Sequence, residues 1–176
     1  MTGPGTMGGL LFALVTDTAD PLGLGRVKVS YGHLGTQSVL TAWAHIAAPM
    51  AGPDRGVWFV PEIGDQAVVA FGMDSPDEPI ILGFLWDAVN TPPSTSTRER
   101  MIRTVDGHTI RFLDATPGSG GGRGALAIED GNGNSIVLAN GKVTVHAVGV
   151  LELDAASIVL TSAGVRRVVT PNAIPI

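Results

Sequence analysis

An all-β protein in two parts is what this sequence predicts: a small closed five-stranded barrel followed by a stack of short strands. Three observations carry that reading. Charged residues make up only 15% of the chain. Its 176 residues include 24 glycines and 12 prolines, turn formers well above ordinary usage. The apolar residues fall in short runs, many alternating with polar ones, which is the period of a strand and not of a helix.

The barrel is expected over residues 10–87, after an N-terminal arm of residues 1–9. "LLFALVTD" and "GRVKVSY" flank "TADPLGLG", a hairpin with a long tip. Within the second run Val27, Val29 and Tyr31 alternate with Arg26, Lys28 and Ser30, giving a half-buried strand. "VLTAWAHIAA", "QAVVAFGM" and "EPIILGFLW" supply three more; the last is short and interrupted by Gly83, so it reads as strand rather than buried helix. Five strands with mixed turn lengths suit closure, which removes exposed edges.

The stretch "RGVWFVPEIGDQAVVAF" raises the question of a catalytic carboxylate pair, Glu62 and Asp65. Such a pair needs a cleft and a raised pKa on one member. Gly64 and Asp65 are also the residues a tight turn requires. The expectation is structural: Pro61 to Asp65 turns the chain into the next strand, and Trp58 and Phe59 supply apolar bulk.

Residues 88–100, within "DAVNTPPSTSTRER", are polar and aperiodic and read as a linker. Beyond it, over 101–164, alternating runs follow one another. "TIRFLD" puts Ile110 and Phe112 on one face, and "ALAIED" does the same with Leu126 and Ile128. "SIVLAN", "KVTVHA", "VLELDA" and "SIVLTSAG" add Ile136, Leu138, Val143, Val145, Leu151, Leu153, Ile158 and Leu160. "DGHTIRF" and "NGNSIVL" form a weak internal repeat, and "NGKVTV" returns sooner, as in stacked β-structure. Each run offers few apolar side chains, so a lone ribbon would bury little and leave its edges open. Three identical chains around one axis would bury those twelve residues against copies of themselves. About eight strands at roughly 4.8 Å spacing would make a rod on the order of 40 Å long.

Composition excludes several functions. With no cysteine there is no disulfide, thiolate chemistry or cysteine-based zinc site. A net charge of −5 argues against a general nucleic-acid binder, and no basic face for a membrane surface is visible. The first positive charge is Arg26, so no signal peptide is read, and the chain is expected to be made and assembled in the cytoplasm. No apolar run reaches the length of a spanning helix. The histidines His33, His45, His108 and His146 form no metal-ligand spacing. In a trimer, three copies of His146 could still line an axial ion site. "GSGGGRGA" ends in Arg-Gly-Ala where a phosphate loop ends in Gly-Lys-Ser/Thr, so it reads as a hairpin tip. No cofactor is implied.

"GRVKV", "WAHIAAPMAGPDRGVWFVPEIGDQAVVAF" and "DSPDEPIILGFLWDAVNTPP" together resemble the OB-fold barrel of contractile-injection spike proteins. This family comprises phage baseplate assembly protein V, the valine–glycine repeat (VgrG) spikes of type VI secretion, and spikes of extracellular injection systems. "IRTVDGHTIRFLD…IEDGNGNSIVL…KVTVHAVGVLELDA" is similar to the start of the family's trimeric β-helical needle. The resemblance implies a homotrimer below a hub and tube, with a PAAR-type tip protein on its distal end, acting in a virion or contractile particle. The membrane would be only the target it pierces. Nine residues precede the barrel, so the hub is expected to be a separate protein, and the linker has no room for an inserted lysozyme. The tail 165–176, "VRRVVTPNAIPI", is the expected tip-docking segment through Val168, Val169, Ile174 and Ile176.

Two rival classes are weaker. A single-chain OB-fold module for oligonucleotide or oligosaccharide would need exposed aromatics and basic groups, and only Tyr31 with Arg26 and Lys28 fits. A peptidoglycan hydrolase would need its acid pair in a cleft.

Overall fold

The computed structural model describes residues 9–32, 39–72, 75–118 and 122–169, the backbone alone at 75–77 and 166–169. It forms two compact units that divide between Pro92 and Pro93.

The first unit holds β1 (Leu10–Asp17), β2 (Val27–Gly32), β3 (Val39–Ile46), β4 (Ala51–Gly52), β5 (Arg55–Gly56), β6 (Gln66–Gly72) and β7 (Ser75–Leu85). Five of them close into a barrel in the order β1-β2-β3-β7-β6. All pairs are antiparallel except β3 with β7, where His45 and Ile46 lie opposite Ile80 and Ile81. Register shifts at Val15/Asp17 and at Val68/Val69 add the local bend that closing so small a sheet requires.

Alternation decides what fills the interior. Val27, Val29 and Tyr31 of β2 point inward as expected, joined by Ala13, Val15, Ala44, Ala67, Val69 and Ile81. Three alanines among nine buried residues reflect how little room five strands enclose. Tyr31 meets Phe71 edge to face at 5.5 Å between ring centroids. That interior has no place for an indole. Trp58 is 73% exposed and Phe59 also lies outside, on the extended connection between β5 and β6. Trp58 packs instead over Gly25, where a Cβ would come within 2.8 Å of its ring.

Polar side chains hold the barrel's turns. Asp20 accepts the backbone N–H groups of Leu22, Leu24 and Arg26, and its carboxylate is also bound by the Arg26 guanidinium at 2.8 Å. Arg26 lies 5.8 Å from the Trp43 ring centre, within cation–π range.

The second unit holds β8 (Glu99–Arg103), β9 (Thr109–Leu113), β10 (Ala125–Glu129), β11 (Ser135–Ala139), β12 (Lys142–His146), β13 (Ile158–Ser162) and β14 (Val165–Val169). β8 to β12 form one antiparallel meander, and β13 with β14 a separate hairpin. Asn140–Gly141 and Ala163–Gly164, all at positive φ, make the two tightest turns, the type I′ geometry of two-residue hairpins. The internal repeat is a repeated turn. Thr104 and Asp130 each receive, on a side-chain oxygen, the N–H of the residue four further on, His108 and Asn134. His108 Nδ1 accepts the Gly131 N–H, tying one turn to its neighbour.

Two expectations are corrected. "VLELDA" alternates, yet it forms no strand, so Leu151 and Leu153 lie on irregular backbone. The Val148 N–H is held by Asn134 Oδ1 at 2.9 Å, which anchors the chain beside the Asp130 turn after β12 ends. Alternation alone does not make a strand. Conversely, residues after Gly164 are not a tail: Val165 to Val169 pair with β13, so Val168 and Val169 belong to β14. Ile174 and Ile176, like His33, lie outside the described residues.

Candidate self-association face

Tight turns fix the register of the meander, and register sorts its side chains onto two faces. One cross-strand row runs Ile102, Ile110, Ile128, Ile136 and Val145. The next runs Phe112, Leu126, Leu138 and Val143, with Arg100 at its β8 end. Every large aliphatic or aromatic group on this face is thus next to another. In the single chain the face is open: Ile128 is 45% exposed, Phe112 53% and Val143 65%. The isoleucine row lines a concavity of about 580 Å³, to which Val150 and Leu151 also contribute. A contiguous apolar patch of this kind marks an interaction site.

The opposite face is polar and its charges pair across strands, with the buried Arg111 Nε left without a hydrogen-bond partner among the described residues. Arg111 on β9 reaches Glu99 of β8 at 3.2 Å and both Glu129 oxygens of β10 at 2.6 and 2.7 Å. Thr109 donates to Glu129 and Ser94 donates to Glu99. The Ser94 hydroxyl, and then the Arg111 guanidinium, hold the Glu99 carboxyl below its ordinary range. One arginine clamps three strands through this network.

Of the twelve residues expected on an axis, the first eight fall on the apolar face together. Ile158 and Leu160 share a phase of β13, and Leu151 and Leu153 lie outside strands. Ile102 belongs to the row and was missed, because in "RERMIRT" arginines mask its alternation. The Arg111 clamp was missed too, since its partners become neighbours only once register is known. His146 ends β12 on the phase of Lys142 and Thr144 and lines the same concavity as the isoleucine row. Among the described residues, no three His, Asp or Glu side chains are grouped to hold a metal ion.

The Glu62 and Asp65 pair is a turn. Asp65 accepts the Glu62 N–H at 2.9 Å, its own N–H goes to the Glu62 carbonyl, and Gly64 between them has φ +100°. The Gly64 N–H and the Asp65 carbonyl both bond to Val15, pinning the turn to β1.

On the barrel, the outward phases of β1 and β7 are apolar as well. Leu10, Phe12 and Leu14 are exposed, as are Ile80, Leu82 and Phe84, on strands that flank β6.

Residues 11–86 match the family model of the type VI secretion system/phage-baseplate injector OB domain. The barrel is an OB domain of the kind found in VgrG-like baseplate spikes. The chain is 29% identical over 117 residues to the type VI secretion system spike protein VgrG3 of Vibrio cholerae, covering 65% of this chain and 11% of that protein. It is 36% identical over 86 residues to the actin cross-linking toxin VgrG1 of V. cholerae, covering 46% and 8%. To the spike protein VgrG5 of Pseudomonas aeruginosa it is 29% identical over 126 residues, covering 70% and 14%. That last likeness is longer than the barrel unit, Met1–Pro92, and so extends into the sheet carrying the apolar face. The chain spans a small fraction of each relative's length.

Proposed function

We propose that the chain is the central spike of a contractile injection machine, a homotrimer whose second units close around one axis as a β-helical or prism-like needle. The observation that carries this reading is the open two-row apolar ladder. A lone chain leaves it in water, and three copies bury it against itself. Function is then mechanical rather than catalytic, and no cofactor enters it. Continuous backbone hydrogen bonding around a dry axis lets a narrow rod bear an axial load.

The barrel docks on a hub or baseplate protein, a role suited to its outward apolar phases on β1 and β7. The distal end of the needle carries a PAAR-type tip protein, and the only membrane met is the envelope being pierced. Assembly occurs in the cytoplasm, and the working site is the virion or particle.

Light scattering on the purified chain tests the reading, with the barrel unit cut after Pro92 measured in parallel. The expected result is a mass near three times the 18.1 kDa of one chain, falling to a single copy for the barrel alone. A compact monomer in both samples would overturn it and favour a single-chain OB-fold module for oligonucleotide or oligosaccharide.

A further inference from the structure

The β13–β14 hairpin is incomplete as it stands. Among the described residues neither strand pairs with anything but the other, and an isolated two-stranded hairpin is marginal in water. Val159, Leu160 and Val165 are all exposed. The free edge of β13, Ile158-Val159-Leu160-Thr161-Ser162, has none of the features that natural proteins use to blunt an edge: no charge, no proline and no bulge. Its turn, by contrast, is well made. Ala163 and Gly164 are at φ +48° and +79°, the geometry that matches strand twist. Strong local turn chemistry beside an unprotected edge is the arrangement of a strand built to be extended by another chain.

We infer that the hairpins of three copies of this chain pair edge to edge into one closed six-stranded antiparallel ring, β14 of each copy against β13 of the next. The inference rests on the trimer reading and specifies which backbone makes the contact. Its logic is symmetry. Pairing β13 with another β13 is isologous and stops at two copies, leaving both β14 edges bare. Pairing β14 with β13 is heterologous, and around a threefold axis it repeats until no edge remains. Strand direction agrees: within a hairpin β13 and β14 run oppositely, so neighbours in such a ring are antiparallel throughout.

Hydrogen bonding within the hairpin supplies the test. Around a two-residue turn the flanking pair, Ser162 and Val165, is the hydrogen-bonded one, and the pattern then alternates. Leu160 with Arg167 and Ile158 with Val169 are therefore bonded inside one chain. The N–H groups of Val159, Thr161, Arg166 and Val168 point away, towards the next copy.

Amide hydrogen exchange on the full chain, read by residue at a concentration where the mass is known, separates the outcomes. In the ring, all four outward amides exchange at least about a hundredfold slower than in an open strand, alongside Leu160 and Arg167. A trimeric mass with those four amides exchanging freely would overturn the ring and leave the trimer standing. A monomeric mass with free exchange would overturn both. Thr161→Pro gives a second readout, since that nitrogen makes no bond within its own hairpin. It should release the outward amides without changing exchange in β8 to β12. Unchanged protection in that variant would also overturn the ring.

Discussion

Ile128→Asp is the perturbation that reaches furthest into the proposed interface. Ile128 stands mid-row between Ile110 and Ile136, and 45% of it is exposed in a single chain. Fully burying an isoleucine contributes about 1.5–3 kcal/mol, so closing its open half supplies on the order of 1 kcal/mol per chain and roughly 3 per trimer. Aspartate forfeits that and places three like carboxylates in a dry axis, each costing several kcal/mol to desolvate unpaired. The sum is on the order of 10 kcal/mol against association, enough to dissociate the trimer at micromolar concentration. Sedimentation velocity on the variant should give a single-chain mass. Near-ultraviolet circular dichroism from Tyr31 and Trp43 should be retained, because the barrel folds on its own core. Lys142→Asp, on the polar phase of β12, should keep the native mass. An Ile128→Asp protein that sediments as the trimer would refute the reasoning, whatever its stability.

Three further outcomes follow from the geometry. The Arg26 guanidinium, foremost, and the backbone N–H groups around it hold the Asp20 carboxyl far below the ordinary 3.8. The unfolded chain therefore binds the proton first, and the stability this site contributes is present above that ordinary value and lost as pH falls through the folded one. Asp20→Asn should flatten the acid limb of a Tm-versus-pH curve; an unaltered limb would exclude the site as its cause. Gly124→Ala should destabilise the second unit by more than about 2 kcal/mol, since a Cβ there would lie 1.7 Å from the Leu113 carbonyl oxygen at φ +87°. A denaturant midpoint equal to the native one would contradict that. Val29→Ala, in the closed barrel core, should cost about 1–3 kcal/mol in thermal unfolding while leaving the oligomeric mass unchanged.

Much of this was legible because β-structure writes its period into the sequence. Val27, Val29 and Tyr31 gave their inward phase directly, and Ile110 with Phe112 and Leu126 with Ile128 gave theirs. The Asn140–Gly141 turn then fixed which row met which. Legibility failed where a side chain's fate depended on something other than period. Trp58 and Phe59 are apolar but lie on a connection beside an interior already filled by valine and alanine. Leu151 and Leu153 alternate, yet they pair with no strand among the described residues. Val165 to Val169 were hidden by paired arginines, although Ala163–Gly164 was the available signal for a reversal. The Arg111 clamp needs three strands in register before its acids become neighbours, so no local pattern could announce it.

The central claim is that the apolar face of the second unit is closed by copies of itself, and thiol accessibility measures that most directly. The chain has no cysteine, so a single substitution reports without background. Ile136→Cys puts a thiol in the isoleucine row, and Thr144→Cys puts one on the opposite face of the same sheet. The account predicts that, in the native protein, the thiol at 136 reacts with an alkylating reagent on the order of a hundredfold slower than the one at 144, with the difference abolished on unfolding. Equal rates at the two positions in the native protein would contradict it.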